Sequence, residues 1–186
     1  MGGFNKEEVR KKARSFGFPN SGKSTLLSKI SSAKPKIAEY PFTTLYPNLG
    51  TVQNEDYVSF VVADIPGLIE GAHEGKGLGD EFLKHIERTK ILIFMIESIT
   101  ENILESYKKL KNEIKLFNIE ILNKPRMLVI SKIDLIENPE KLNPVLDEEI
   151  PIIKISSISG KGLDELINAI SNLLKNENIR KVKNFK

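Results

Sequence analysis

The sequence predicts an α/β fold of the doubly wound kind, in which a mostly parallel sheet carries helices on both faces. Two observations predict it. Short apolar runs, typical of strands buried on both faces, alternate with amphipathic stretches typical of crossover helices. In addition, a glycine-containing segment, residues 17–24, stands directly before one helical pattern, where a strand-to-helix turn is expected.

Four apolar runs are predicted to be strands, and two periodic stretches are predicted to be helices. The strands cover residues 58–63, 91–96, 127–130 and 152–155. Apolar residues recur at three- and four-residue steps within residues 103–117 and 163–174, which predicts helices with one apolar stripe. Residues 33–51 and 66–79 show neither period and contain three prolines and five glycines respectively, so we expect functional loops there.

The composition is that of a folded globular domain. The 186 residues suffice for about one domain, and 40% hydrophobic with 28% charged residues argues against disorder. A net charge of +3 permits a nucleic-acid partner without demanding one. The chain has no cysteine, which excludes disulfides and thiolate metal sites. No apolar run is long enough for a membrane helix, and residues 1–14 are too charged for a signal peptide, so we expect a cytoplasmic location. We also expect a monomer.

Residues 17–24, Gly-Phe-Pro-Asn-Ser-Gly-Lys-Ser, have the spacing of the P-loop that binds phosphate. The glycines let main-chain N–H groups turn toward phosphate oxygens, and the following helix adds its positive end. Lys23 is predicted to reach the β- and γ-phosphates, and the Ser24 hydroxyl to ligate Mg²⁺. The fold is therefore predicted to be a P-loop NTPase. The candidate phosphate-binding residues are Gly17, Asn20, Ser21, Gly22, Lys23, Ser24 and Thr25.

The segment before the loop conflicts with this prediction. A P-loop should follow a buried strand, but residues 9–16 carry mainly cations. Either a short strand over residues 13–16 is sufficient, or the first strand is missing or replaced and the loop is poorly anchored.

Asp64 and Gly67 are the second group of candidates. Asp64 directly follows the strand 58–63, which places its carboxylate at the carboxyl edge of the sheet, where it can hold the magnesium shell. The main-chain N–H of Gly67 is then available to a γ-phosphate, so the loop beyond it would sense the nucleotide state.

Together, residues 17–24, residues 40–50 (YPFTTLYPNLG) and residues 64–89 (DIPGLIEGAHEGKGLGDEFLKHIERT) resemble the G domain of the Obg family of ribosome-associated GTPases. The resemblance covers residues 16–175. It implies a Ras-like fold, binding of GTP, GDP and Mg²⁺, slow hydrolysis, and a role in maturation of the large ribosomal subunit, with the ribosome or its RNA as partner. By the same matching, Thr44 completes the magnesium shell and assists catalysis with Lys23 and Gly67, and Thr43 is the fallback.

The resemblance also bears on the rate of hydrolysis. Leu68 follows Gly67, where Ras-like enzymes have a water-orienting glutamine, so slow turnover is expected. In the wider class, the asparagine of a Pro-Asn pair in the P-loop holds K⁺ beside the phosphates, and Asn20 matches it. K⁺ at Asn20 would offset the negative charge that develops on the β-γ bridge in the transition state. The alternative is that Asn20 is only a turn residue.

Two further segments resemble guanine-recognition motifs. Residues 131–134, Ser-Lys-Ile-Asp, are similar to the motif NKxD, in which Asp134 would accept from the guanine N1–H and N2–H₂ groups while the Lys132 stem covers the base. Serine at position 131 removes an amide able to bridge base and P-loop, so weaker affinity is predicted. Ser156, Ser157 and Ile158 resemble the SAx motif, whose main-chain N–H groups contact guanine O6.

The predicted organisation is an atypical segment over residues 1–15, a GTP-binding G domain over 16–176, and a basic tail over 177–186 whose end is expected to be solvated and disordered. The predicted function is a slow, Mg²⁺-dependent GTPase that acts as a switch in ribosome assembly. The alternative is a fragment or remnant of a G domain that binds guanine nucleotide with little or no hydrolysis.

Overall fold

A seven-stranded sheet forms the centre of the computed structural model, which describes residues 12–37, 48–56, 58–64 and 89–183. The strand order is β2-β3-β4-β1-β5-β6-β7. β4, β1, β5, β6 and β7 are parallel neighbours, whereas β3 is antiparallel to both β4 and β2. The strands are β1 (Lys12–Gly17), β2 (Lys36–Ile37), β3 (Asn48–Gln53), β4 (Ser59–Asp64), β5 (Ile91–Glu97), β6 (Arg126–Ser131) and β7 (Ile152–Lys154).

Helices cover both faces of the sheet. α1 (Lys23–Ile30) and α3 (Leu163–Lys183) pack on one face, and α2 (Ile103–Phe117) packs on the other. The side chain of Asn102 caps α2 by accepting a hydrogen bond from the Glu105 N–H at 3.0 Å. Short 3-10 turns span Ile119–Asn123, Ile133–Leu135 and Pro139–Lys141. The doubly wound, mostly parallel architecture predicted from the sequence is confirmed.

β5 divides the core into two layers. Its side chains alternate between the faces of the sheet, as the twofold period of a strand requires. Ile91, Ile93 and Met95 pack in the cluster with α1 and α3, while Leu92, Phe94 and Ile96 pack in the cluster with α2, and each is at most 1% exposed.

A short strand, β1, does form before the P-loop. Of the two alternatives for the cationic segment, the structure therefore supports the short strand over a missing one. β1 lies in the middle of the sheet, between β4 and β5. Ala13 and Phe16 pack in the two different apolar clusters, and the neighbouring strands supply main-chain pairing on both edges. Arg14 is only 3% exposed, so one of the cations is accommodated inside the sheet. β1 also includes residues 12–15 of the predicted N-terminal segment.

The prediction that residues 33–51 are irregular is wrong for the part that the structure describes. That part contains β2 and β3, and residues 38–47 lie outside the described residues. β3 gave no strand pattern because it mixes Asn, Gly, Thr and Gln with two apolar residues, and only Gly50 and Val52 are buried. A Cβ on Gly50 would lie 2.7 Å from Cδ1 of Leu27 in α1, which explains a glycine at this position.

The turn between β3 and β4 is joined to α3 by polar contacts. The Asn54 side-chain amide donates to the Ser171 hydroxyl at 3.1 Å, and its oxygen accepts from the Val58 N–H at 2.8 Å. Asp56 forms an exposed ion pair with Lys175 at 3.3 Å. α3 runs to Lys183, so the expected disorder of the tail is wrong for residues 180–183. Among the described helices, none is both long and apolar enough to cross a bilayer.

Candidate functional site

The predicted phosphate, metal and base residues that the structure describes lie at or after the ends of β1, β4, β6 and β7, at the carboxyl edge of the sheet. This is the edge at which ligands bind in open α/β folds. β1 leads into the P-loop, β4 ends at Asp64, β6 ends at Ser131, and Ser156 follows β7. The topology therefore brings together segments that are distant in the sequence.

The P-loop has main-chain geometry that depends on particular residues. A Cβ on Gly17 would lie 2.5 Å from the carbonyl oxygen of Met95, so no larger residue fits. Gly22 has φ of 89° and directly precedes α1, and Asn20 has φ of 63°. Asparagine is one of the few non-glycine residues that tolerate this region. Asn20 is exposed, which is compatible with either of its predicted roles.

Lys23, the first residue of α1, bends back over the loop. Its Nζ donates to the carbonyl oxygens of Gly17 at 2.9 Å and Phe18 at 3.0 Å. Burial lowers the pKa of the Lys23 ammonium below its ordinary value, and the nearby Asp64 carboxylate partly offsets this effect. The ammonium thus already lies at the loop whose amides are predicted to hold phosphate.

Ser24 and Asp64 meet at the start of α1. The Ser24 hydroxyl donates to Oδ2 of Asp64 at 2.7 Å. Asp64 is 2% exposed, and its Oδ1 has no hydrogen-bond partner among the described residues. Burial raises the pKa of the Asp64 carboxyl, while the Ser24 hydrogen bond and the Lys23 charge act in the opposite direction.

This pair fits a magnesium ion. A hydroxyl and a carboxylate are oxygen donors of the kind that Mg²⁺ prefers, and an orphaned buried carboxylate oxygen lacks the partner that a cation or its water shell would supply. No group of three or more His, Cys, Asp or Glu side chains in the described segments could hold a metal by itself. Mg²⁺ commonly completes its shell with water and substrate phosphates, so a site of this size is sufficient.

The predicted base-recognition segment is connected directly to the P-loop. Ser131 is 2% exposed, and its hydroxyl donates to the carbonyl oxygen of Ser21 at 2.8 Å. The loss of a bridging amide at position 131 therefore does not separate the two segments, because the serine hydroxyl retains the contact with the P-loop. The predicted effect on affinity stays a prediction.

Lys132 and Asp134 follow Ser131 in a tight turn. Lys132 has φ of 58° and its Nζ pairs with Oε1 of Glu97 at 2.9 Å. The Ser98 hydroxyl donates to the Lys132 carbonyl oxygen at 2.7 Å. Asp134 is exposed at the edge of the sheet, where a base can reach it.

The loop after β7 lies beside that turn. The Ile133 N–H donates to the Ile155 carbonyl oxygen at 3.2 Å. Ser156 is fully buried and its hydroxyl accepts from the Ser159 N–H at 3.1 Å, which closes the loop on itself. Ser157 is partly exposed, and Ile158 is exposed. The two predicted guanine-recognition segments are therefore neighbours.

Several of the predicted residues lie outside the described part of the chain, and two residues at this edge of the sheet were not predicted. Thr43, Thr44, Gly67 and Leu68 lie outside the described residues. Thr25 is exposed in the first turn of α1. Glu97 and Ser98 were not predicted, although two polar residues that directly follow the apolar run 91–96 are a signal for this edge of the sheet.

A family model matches the part of the chain that contains the P-loop. The model described as 50S ribosome-binding GTPase matches residues 14–132, more than half of the chain. The chain belongs to this family. The match begins within β1 and ends at Lys132, so it includes the P-loop, Asp64 and the start of the predicted base-recognition segment of this GTPase domain.

Curated relatives of this GTPase domain carry the name GTPase Obg. The protein from Pelodictyon phaeoclathratiforme is 56% identical over 150 residues, which cover 81% of this chain and 44% of the relative. The protein from Bacteroides fragilis is 57% identical over 152 residues, which cover 81% and 39%. The predicted resemblance to the Obg G domain is confirmed. The chain spans less than half the length of these relatives.

Solved structures confirm the fold of the GTPase domain. A chain described as nucleolar GTP-binding protein 1 from Plasmodium falciparum matches with a TM-score of 0.66 at 20% identity, covering 98% of this chain and 94% of that one. The cytosolic domain of FeoB from L. pneumophila matches with a TM-score of 0.64 at 18% identity, covering 87% and 63%. At these identities the likeness concerns the fold alone.

Proposed function

We propose that this GTPase domain binds GTP and GDP with Mg²⁺, hydrolyses GTP slowly, and acts as a nucleotide-state switch of the Obg type in assembly of the large ribosomal subunit. The observation that carries the proposal is the contact of Ser24 with Asp64 beside the P-loop, together with a second Asp64 oxygen that has no hydrogen-bond partner within the described part of the chain. A buried carboxylate of this kind is costly to keep unless a ligand uses it.

Phosphate binding would use the P-loop amides and Lys23. In the described structure the ammonium donates to two loop carbonyl oxygens. Phosphate oxygens are stronger acceptors for an ammonium than neutral carbonyls, so a nucleotide would draw Nζ away from the loop. Gly17, Ser21, Gly22 and Thr25 would contribute main-chain N–H groups or the start of the α1 dipole.

Mg²⁺ would be held by Ser24 and Asp64, with Thr44 as a further ligand in the GTP state. The ion would stabilise the negative charge that develops on the phosphate oxygens when the γ-phosphoryl group is transferred. Burial raises the pKa of the Asp64 carboxyl, and the positive charge of a cation bound beside it would lower that pKa. The Gly67 N–H would contact the γ-phosphate.

Guanine would be recognised by the turn after β6 and the loop after β7. Asp134 would accept from the two donors on one edge of the base, Lys132 would cover a face, and the main chain of residues 156–158 would contact O6. Adenine lacks the matching donors, so it would leave the carboxylate unpaired, which is a large penalty. The contact of Ser131 with Ser21 supports this arrangement because it fixes the distance between the turn after β6 and the P-loop.

Hydrolysis would be slow because leucine at position 68 cannot orient water, and we expect a rate no faster than about 10⁻³ per second by comparison with unassisted Ras. Asn20 would hold K⁺ near the phosphates, and its positive φ in an exposed part of the loop is compatible with this role. Replacing Na⁺ with K⁺ should then accelerate hydrolysis, and equal rates in the two salts would refute the K⁺ site.

The ribosome is proposed as partner on two grounds. The matching family is described as 50S ribosome-binding, and the curated relatives are named GTPase Obg. A cytoplasmic monomer remains our proposal for the location and oligomeric state.

Isothermal titration with GDP, GTP and ATP in the presence of Mg²⁺ tests the nucleotide proposal. We expect binding of both guanine nucleotides, none of ATP, and none by Lys23→Ala, a variant whose fold is checked by circular dichroism. Lys29→Ala is the matched control, because Lys29 is an exposed lysine in the last turn of the same helix. Equal affinity for ATP, or unchanged binding by Lys23→Ala, would contradict the proposal.

Release of phosphate from bound GTP separates the two functional alternatives. A slow single-turnover release supports the GTPase switch. Tight binding without release would instead support a binding module that signals by nucleotide occupancy alone.

A further inference from the structure

Lys132 has a main-chain conformation that something must hold in place. Its φ of 58° and ψ of 38° lie in the left-handed region, which residues with a Cβ rarely adopt. The same residue is the one proposed to lay its aliphatic stem on guanine. Its conformation decides where that stem begins.

Ser98, the residue after β5, holds the main chain of this turn. The Ser98 hydroxyl donates to the Lys132 carbonyl oxygen at 2.7 Å, and the Ser98 N–H donates to the Ser131 carbonyl oxygen at 2.8 Å. These bonds fix the peptide groups on both sides of the Lys132 Cα atom. Ser98 is 5% exposed, so water competes little for either bond.

Glu97 holds the other end of the same residue. Its carboxylate lies 2.9 Å from Nζ of Lys132, with the side chains 19% and 34% exposed respectively. Ion pairs that are partly buried are screened less than pairs in open solvent. A lysine stem fixed at both ends has little rotamer freedom left to lose when a ligand arrives.

We infer that Glu97 and Ser98 are positioning residues for guanine, which act by holding Lys132 in the conformation that covers the base. The inference rests on the proposed function, since it concerns that same base site. The physical reason is preorganisation. A side chain that is already ordered loses less conformational entropy on binding, so the affinity is higher. Glu97 acts through the Lys132 side chain, so its effect must vanish when the lysine stem is removed.

A double-mutant cycle on GDP affinity tests this. Titrations compare the unmodified chain with Glu97→Ala, Lys132→Ala and the double variant. We expect Glu97→Ala to weaken GDP binding about threefold to tenfold, as for loss of one preordered long side chain. In the Lys132→Ala background the same change should have no further effect. Ser98→Ala should also weaken GDP binding, and an unchanged affinity would show that Ser98 does not position Lys132 for the base.

Glu101→Ala is the control, since Glu101 is exposed and lies four residues beyond Glu97, and it removes the same charge. Its GDP affinity should equal that of the unmodified chain. If Glu97→Ala fails to fold, Glu97→Gln, which keeps the size of the side chain, takes its place in the cycle.

Three further outcomes overturn the inference. An unchanged affinity in Glu97→Ala would show that Glu97 does not position Lys132 for the base. An equal loss with and without the Lys132 stem would show that Glu97 merely supports the end of β5. Absence of GDP binding by the unmodified chain would refute the proposed function, and this inference with it, so the two failures are distinguished by the first titration.

Discussion

The hydroxyl of Ser131 donates a 2.8 Å hydrogen bond to the main-chain oxygen of Ser21, across 110 residues of sequence. Both residues are almost fully buried. The bond joins the end of β6 to the P-loop, so the segment proposed to read the base and the segment proposed to hold the phosphates form one unit. A movement of either segment would be transmitted to the other.

Removing that hydroxyl should weaken nucleotide binding. We expect Ser131→Ala to raise the Kd for GDP about fivefold, because the buried Ser21 carbonyl loses its donor. Titration with GDP measures it. Ser32→Ala is the control, since exposed Ser32 donates a 3.0 Å bond to the Thr51 carbonyl oxygen elsewhere. Equal Kd values for Ser131→Ala and the unmodified chain would show that the contact does not support the P-loop.

Neutralising Asp64 should remove the magnesium dependence of binding. In Asp64→Asn, the amide cannot supply the anionic oxygen that a divalent cation needs, so adding Mg²⁺ should no longer tighten GTP binding. Titrations with Mg²⁺ and with a chelator measure the difference.

The control for Asp64 is Asp56→Asn, because Asp56 is exposed in the turn between β3 and β4. This control should retain the full effect of the metal. Magnesium dependence that persists in Asp64→Asn would assign the ion to other residues.

Asp134 should determine the choice of base. In Asp134→Asn the side chain gains a donor, which suits the C2 carbonyl of xanthine in place of the guanine amino group. We expect GDP affinity to fall and xanthosine diphosphate affinity to rise, each by about tenfold or more. Competition titrations measure the ratio.

The control for base selectivity is Asp147→Asn, since Asp147 is exposed and pairs only at the surface with Lys108. It should leave the preference for guanine unchanged. If Asp134→Asn also keeps that preference, another residue reads the base.

Glu148 should make stability depend on pH below neutrality. Burial by itself raises the pKa of its carboxyl, but hydrogen bonds from Lys111, Arg126 and Tyr107 outweigh burial, so the pKa is lowered in the folded state. A lowered pKa stabilises the fold above the unfolded value, and the stabilisation is lost as the pH falls through the folded value. We expect Glu148→Gln to cost about 1–2 kcal/mol at pH 7 and less at pH 3.

Urea unfolding at the two pH values measures this difference. Glu149→Gln changes the same charge at the exposed neighbouring residue, and should have little effect at either pH. A destabilisation by Glu148→Gln that is equal at pH 7 and pH 3 would show that its ionised form is not what stabilises the fold.

The sequence predicts the frame of the site well because the frame depends on patterns that are local in the chain. The strands that contain Phe60, Phe94 and Val129 each have an uninterrupted apolar run of four or more residues, and the P-loop has a fixed spacing. β3 escaped prediction because pairing with β4, a contact between segments, stabilises it despite a mixed composition. The contacts of Ser131 and Glu97 likewise depend on which strands are neighbours in the sheet. The sequence alone does not reveal that order.

β5 has a consequence for the chain before it folds. Residues 91–96 are six consecutive apolar residues of high β propensity, without charge, proline or glycine, and such hexapeptides stack readily into intermolecular fibrils. In the native sheet β1 and β6 occupy both edges of this strand. Lys90 and Glu97 place one charge at each end of it, in the manner of gatekeepers. Solubility therefore depends on how briefly this hexapeptide stays uncovered during synthesis and refolding.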